Sequence, residues 1–158
     1  MTKKGYEDKY SALLATAKTG ALTWKEYEKT ARKYTTLSTN GIDMFIYQAN
    51  GFDFILEGDL KEVIIRNGVA FFLLFVGRVS GMDMYEKIYV GLDLLESNFS
   101  DFTERRRMKL RCRMRCDDSG ILGRLFELES VDNILEISSE LCYSGMYNSQ
   151  RTKSPNSF

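Results

Sequence analysis

From Met108 to Cys116 the chain strictly alternates apolar and basic residues: Met-Lys-Leu-Arg-Cys-Arg-Met-Arg-Cys. Strand side chains point alternately to opposite faces, whereas helical ones repeat every 3.6 residues, so this pattern is compatible only with a strand. Met108, Leu110, Cys112, Met114 and Cys116 then line an apolar face, and Lys109, Arg111, Arg113 and Arg115 a basic one. With Arg105, Arg106 and Arg107 just ahead, residues 105–115 hold seven cations and no acid.

That concentration matters because the chain as a whole is neutral, with 22 basic and 22 acidic residues. Outside residues 105–115 there remain 15 basic residues against 22 acidic, so an acidic body carries a local basic strip. Such polarity directs binding more than it directs folding.

The 158 residues suffice for a substantial core. We expect one α+β domain over 1–145 and a flexible polar tail over 146–158. Three cysteines are too few and too odd for a secreted disulfide framework. The N-terminus has no apolar stretch resembling a signal peptide. Val69–Val76 is too short to cross a bilayer and is flanked by Arg66 and Arg78. The expected setting is the cytoplasm, with no membrane association.

The expected architecture is two N-terminal helices, a four-stranded antiparallel meander, a helix, a β-hairpin and a C-terminal helix. Tyr6, Tyr10, Leu13, Leu14 and Ala17 recur at helical spacing, and Gly20 is a natural stop. Thr23 and Glu26 have capping-box form and open the second helix, whose face is Trp24, Tyr27, Ala31 and Tyr34. The helical spacing places these N-terminal aromatics in the core, with some rings reaching its edge.

Asn50-Gly51 and Asn67-Gly68 tolerate the positive φ angles of tight hairpins. The first would set Phe45 opposite Leu56 and Tyr47 opposite Phe54. The second would set Ile65 opposite Ala70 and Val63 opposite Phe72. Glu57-Gly58-Asp59 supplies the turn between the two hairpins. Val69–Val76, apolar on both faces, reads as a central or doubly covered strand.

Ser80 and Asp83 suggest a cap for a helix with a Tyr85, Ile88, Tyr89, Leu92 and Leu95 stripe. After the basic strand, a turn at Asp117–Gly120 leads into a strand over 121–129. With a three-residue loop, Arg111 faces Glu127, Lys109 faces Glu129, Cys112 faces Phe126 and Leu110 faces Leu128. Ser130 would cap a last helix burying Ile134, Leu135, Leu141 and Cys142, stopped by Gly145.

The absence of histidine removes Ser-His-Asp and Cys-His catalysis and zinc sites built on imidazole. Cys112 and Cys116, four apart on a strand, are separated by roughly 13 Å and share neither a metal nor a disulfide. Asp53, Glu57, Asp59 and Glu62 are the candidate carboxylate cluster for a divalent cation, but they fit a solvated strand edge and turn equally well. No P-loop or dinucleotide fingerprint occurs. No cofactor and no resident metal are expected.

The leading expectation is therefore a non-enzymatic binding or regulatory protein acting through a protein partner. It would suit a viral or mobile-element accessory factor that modulates nucleic-acid-handling machinery or inhibits it. The alternative is direct DNA or RNA binding through the basic strand at 105–115, and a second alternative is a carboxylate-metal hydrolase. The residues expected to meet a partner or phosphates are Arg105, Arg106, Arg107, Arg113 and Arg115, since Lys109 and Arg111 face acids across the hairpin. Against these stands the plainer reading of a solvated face that resists edge-to-edge aggregation.

Overall fold

In the computed structural model, the structure describes residues 2–34, 44–98, 102, 104–116 and 124–141. The expected tail at 146–158, the turn at 117–120, Cys142 and the Gly145 stop lie outside the described residues. Strand predominates over helix, and six strands belong to a six-stranded sheet. The chain divides into two compact units, one formed by Met1–Leu56 with Arg111–Glu127, the other by Glu57–Leu110 with Leu128–Phe158.

The first unit holds helices α1 (Lys3–Ala17), α2 (Trp24–Tyr34) and α3 (Met44–Gln48). It also holds the start of β1 (Asp53–Arg66), the end of β4 (Arg106–Cys116) and nearly all of β5 (Arg124–Leu128). Both expected N-terminal helices are present. Thr2 caps α1 by accepting from the Gly5 N–H at 3.1 Å, and Gly20 follows its end at φ 77°. The Thr23 hydroxyl accepts from the Glu26 N–H at 3.0 Å and donates to the Glu26 carboxylate at 2.9 Å.

The expected aromatic face of α2 is the centre of this unit's core. Trp24 meets Phe54 and Phe126 edge-on, with ring centroids 5.0 and 5.4 Å apart. Tyr27 is fully buried, donates to the Phe45 carbonyl at 2.7 Å, and lies 3.2 Å from the Tyr10 hydroxyl. Tyr6 reaches the surface.

The first expected hairpin is not formed. Residues 44–48 are helical, because Phe45 and Ala49, four apart and both buried, satisfy a helical period. Gly51, at φ 88°, lets the chain leave that helix, so here Asn50-Gly51 follows a helix instead of joining two strands. Phe52 then pairs by its backbone with Met114, accepting from its N–H at 2.8 Å.

The second unit contains a three-stranded meander, not a four-stranded one: the rest of β1, β2 (Val69–Val79) and β3 (Met82–Val90). Asn67 and Gly68 adopt φ 54° and 77°, and the register pairs Ile65 with Ala70 and Val63 with Phe72 as expected. Glu57-Gly58-Asp59 is not a turn, for β1 runs straight through it. Gly58 is required by close approach, since a Cβ there would stand 2.2 Å from the Phe75 carbonyl oxygen.

The helix expected from Ser80 is also absent. Ser80 and Gly81 form a second positive-φ turn, at 53° and 81°, and β3 follows in strand geometry. Alternation decides this: Glu86, Ile88 and Val90 are buried, while Tyr85, Lys87 and Tyr89 point the other way. Leu92 and Leu95 fall in the short helix α4 (Leu92–Ser97). Val69–Val76 is central, since β2 lies between β1 and β3, but it is not doubly covered: Ala70, Phe72 and Leu74 are buried while Phe71, Leu73 and Phe75 are half-buried.

The expected C-terminal helix is strand β6 (Ile134–Leu141). Ser130 does cap, but only the single 3-10 turn Val131–Asn133, accepting from the Asp132 N–H at 3.1 Å. Pairing with β4, as in Met108 with Ile137 and Leu110 with Ile134, overrides the local helix signal.

Candidate functional site

The basic strand forms as its alternation requires. Met108, Leu110, Cys112 and Met114 are buried, and the intervening cations lie on the opposite face. Its pairing with β5 is shifted by two residues from expectation: Arg113, not Arg111, stands opposite Glu127, and Met114, not Cys112, opposite Phe126. A two-residue slip keeps every side chain on its own face, so the apolar pattern could not distinguish the registers.

The cations of the strand meet acceptors of the same chain. In the first unit the Arg111 Nε donates to the Gly20 carbonyl at 3.0 Å. The Arg113 Nε donates to Asp53 Oδ1 at 3.2 Å, and the Arg115 Nε to Glu127 Oε1 at 2.8 Å. In the second unit Arg107 donates to Asp59 Oδ1 at 3.0 Å and lies 3.5 Å from Glu57. Arg106 is held by the Glu104 carboxylate and by the Ser138 carbonyl at 2.8 Å. Lys109 pairs with Glu136 of β6 at 3.6 Å, in place of the expected Glu129.

Arg105 differs from its neighbours. It is exposed and has no ion pair or hydrogen bond among the described residues. With Lys61, Glu62 and Glu104 it lines a cavity of about 260 Å³ whose apolar wall includes Leu60 and Phe102.

The carboxylates considered for a metal are partners of these arginines. Asp53 serves Arg113, while Glu57 and Asp59 serve Arg107; Glu62 stands apart on the cavity wall. Among the described residues no group of three His, Cys, Asp or Glu side chains is placed to hold a metal ion. Burial, and secondarily the Asp53 charge, pushes the Cys112 thiol far above the ordinary range, so it stays protonated on the core side.

A second feature was missed in the sequence: the outward face of β1–β3. Its register sets Ile64, Phe71 and Tyr89 in one row, Glu62, Leu73 and Lys87 in the next, and Phe75 beside Tyr85. Phe71 and Tyr89 lie 4.4 Å apart between ring centroids, Phe75 and Tyr85 5.7 Å, and the Lys87 ammonium sits 5.1 Å over Phe71. These rings are half-buried, unlike the sealed rings of the opposite face. The odd-numbered aromatics of both strands were the available signal, hidden by reading 80–95 as a helix.

No family model matches the chain, and no curated protein matches it. Among solved structures it is similar to asparaginyl-tRNA synthetase from Pyrococcus horikoshii complexed with asparaginyl-adenylate, at 12% identity and a TM-score of 0.44. That similarity covers 69% of this chain and 24% of the synthetase chain, and at this level it carries no argument about activity. No described helix is long and apolar enough to cross a membrane.

Proposed function

We propose that this chain is a non-enzymatic binding protein that acts through a protein partner docked on the outward face of β1–β3. The observation that carries the reading is the two half-buried aromatic pairs, Phe71 with Tyr89 and Phe75 with Tyr85, with exposed Lys87 between them and exposed Glu62 beside them on β1. Large amphipathic rings with a polar margin are the composition of protein interfaces, where a few aromatic anchors supply most of the binding energy.

The state of the basic strand supports the same choice. Arg106, Arg107, Arg113 and Arg115 would each have to leave a carboxylate before meeting a phosphate. Such exchange removes much of the electrostatic gain on which nucleic-acid affinity rests. The proposed setting is cytoplasmic, in keeping with the sparse cysteines, and the polarised charge suits a partner that itself handles nucleic acid.

Affinity capture from the native host, with and without nuclease, tests the reading. Tyr89→Ala and Lys87→Glu are compared with the unaltered chain after both variants are shown to fold by circular dichroism. A protein retained after nuclease and lost with either variant is the expected result. Capture abolished by nuclease, or unchanged by both variants, would overturn the reading.

A further inference from the structure

The cavity at the start of β4 borders that face at Glu62, while Leu60, Val63 and Phe102 of its wall belong to the buried side of the sheet. Its walls supply two cations, Lys61 and Arg105, and two carboxylates, Glu62 and Glu104. Glu104 is taken by the Arg106 guanidinium, which leaves Arg105 as an exposed guanidinium with no ion pair among the described residues. Leu60 and Phe102 are buried beneath these charges. Glu62 links the two features: it lines the cavity and also stands opposite Leu73, in the row next to Phe71 and Tyr89.

We infer that the partner engages this chain through a short acidic segment that seats a carboxylate against Arg105 and lays an apolar or aromatic side chain on the Phe71–Tyr89 pair. A guanidinium presents forked donors that match a carboxylate bidentately, and an unpaired one beside an apolar wall is a ready receptor for it. The Glu62 carboxylate meets a backbone N–H of the same segment, because an extended peptide carries donors along both edges. The inference rests on the protein-partner reading and specifies the chemistry of the partner.

Selection of phage-displayed random dodecapeptides on the full-length chain, on Arg105→Glu and on Arg105→Lys tests it. Circular dichroism and thermal melts confirm that the variants fold. The unaltered chain is expected to enrich peptides with Asp or Glu near Phe, Tyr or Leu. A synthetic peptide from that set, followed by fluorescence anisotropy, is expected to bind Arg105→Glu at least about tenfold more weakly and Arg105→Lys at an intermediate level. Replacing its acids by amides should weaken binding similarly.

Enriched peptides that lack an acid, or that bind Arg105→Glu unchanged, would overturn the inference while leaving the protein-partner reading intact if Lys87→Glu still abolishes their binding. If no peptide is enriched and a single-stranded oligonucleotide binds instead, the protein-partner reading fails and this inference with it.

Discussion

Arg107 donates a hydrogen bond at 3.0 Å to the carboxylate of Asp59, a residue only 6% exposed. Removing the cation leaves a buried carboxylate without that donor, and the resulting desolvation penalty exceeds the net worth of the pair. Arg107→Ala is therefore expected to lose about 1–3 kcal/mol in urea denaturation. The double variant Asp59→Ala/Arg107→Ala should lose less than the two single losses added together. Strict additivity would show that the contact is energetically idle.

Gly58 is expected to be among the least replaceable residues of the second unit. Gly58→Ala drives a Cβ against the Phe75 carbonyl, where only backbone movement can relieve the clash. A loss of about 3 kcal/mol or failure to fold is expected, and Gly91→Ala, with open space around it, should stay within about 1 kcal/mol. Thermal melts of the two variants compare them directly.

The 108–116 alternation admits no helical reading, so β4 and its buried face were visible in the sequence. Asn67-Gly68 lay between two apolar runs that could only pair with each other. Residues 44–49 and 82–90 carry apolar residues that satisfy both periods, and burial against distant residues decided between them. Read as a helix, 80–95 puts Tyr85, Ile88 and Tyr89 on one stripe; as a strand it turns Ile88 inward and the tyrosines outward. The arginines of the site were visible, but Asp59 and Asp53 lie 48 and 60 residues away in sequence from Arg107 and Arg113. Local register cannot find such partners.

Stability should fall in alkali through Tyr27. Burial raises its hydroxyl pKa well above the ordinary 10.0, and the nearby Tyr10 raises it further. In the unfolded chain the group ionises near its ordinary value, so its contribution is complete below that pH and is lost as pH rises through the folded value. Denaturation between about pH 8 and 11 should show stability falling by up to about 1.4 kcal/mol per pH unit for this group. Tyr27→Phe should flatten that slope, at a cost of about 1 kcal/mol at neutral pH from the lost bond to the Phe45 carbonyl.

Cys112 should be chemically silent while the chain is folded. Its thiol is buried and its pKa raised, so neither access nor thiolate is available. In Cys116→Ser/Cys142→Ser, a thiol reagent such as DTNB at mildly alkaline pH is expected to report no reaction in native buffer and one thiol in denaturant. Rapid native labelling would show that the strand opens locally.

The charge of the basic strand is engaged within the chain. Fluorescence anisotropy of a labelled single-stranded oligonucleotide across a salt series tests it most directly, using the unaltered chain, Arg113→Ala/Arg115→Ala and Asp53→Asn/Glu127→Gln. The unaltered chain should bind weakly or not at all even at low salt, the arginine variant should differ little, and removing the Asp53 and Glu127 charges in the amide variant should raise affinity. Tight binding by the unaltered chain that weakens steeply with salt and disappears in Arg113→Ala/Arg115→Ala would contradict the account.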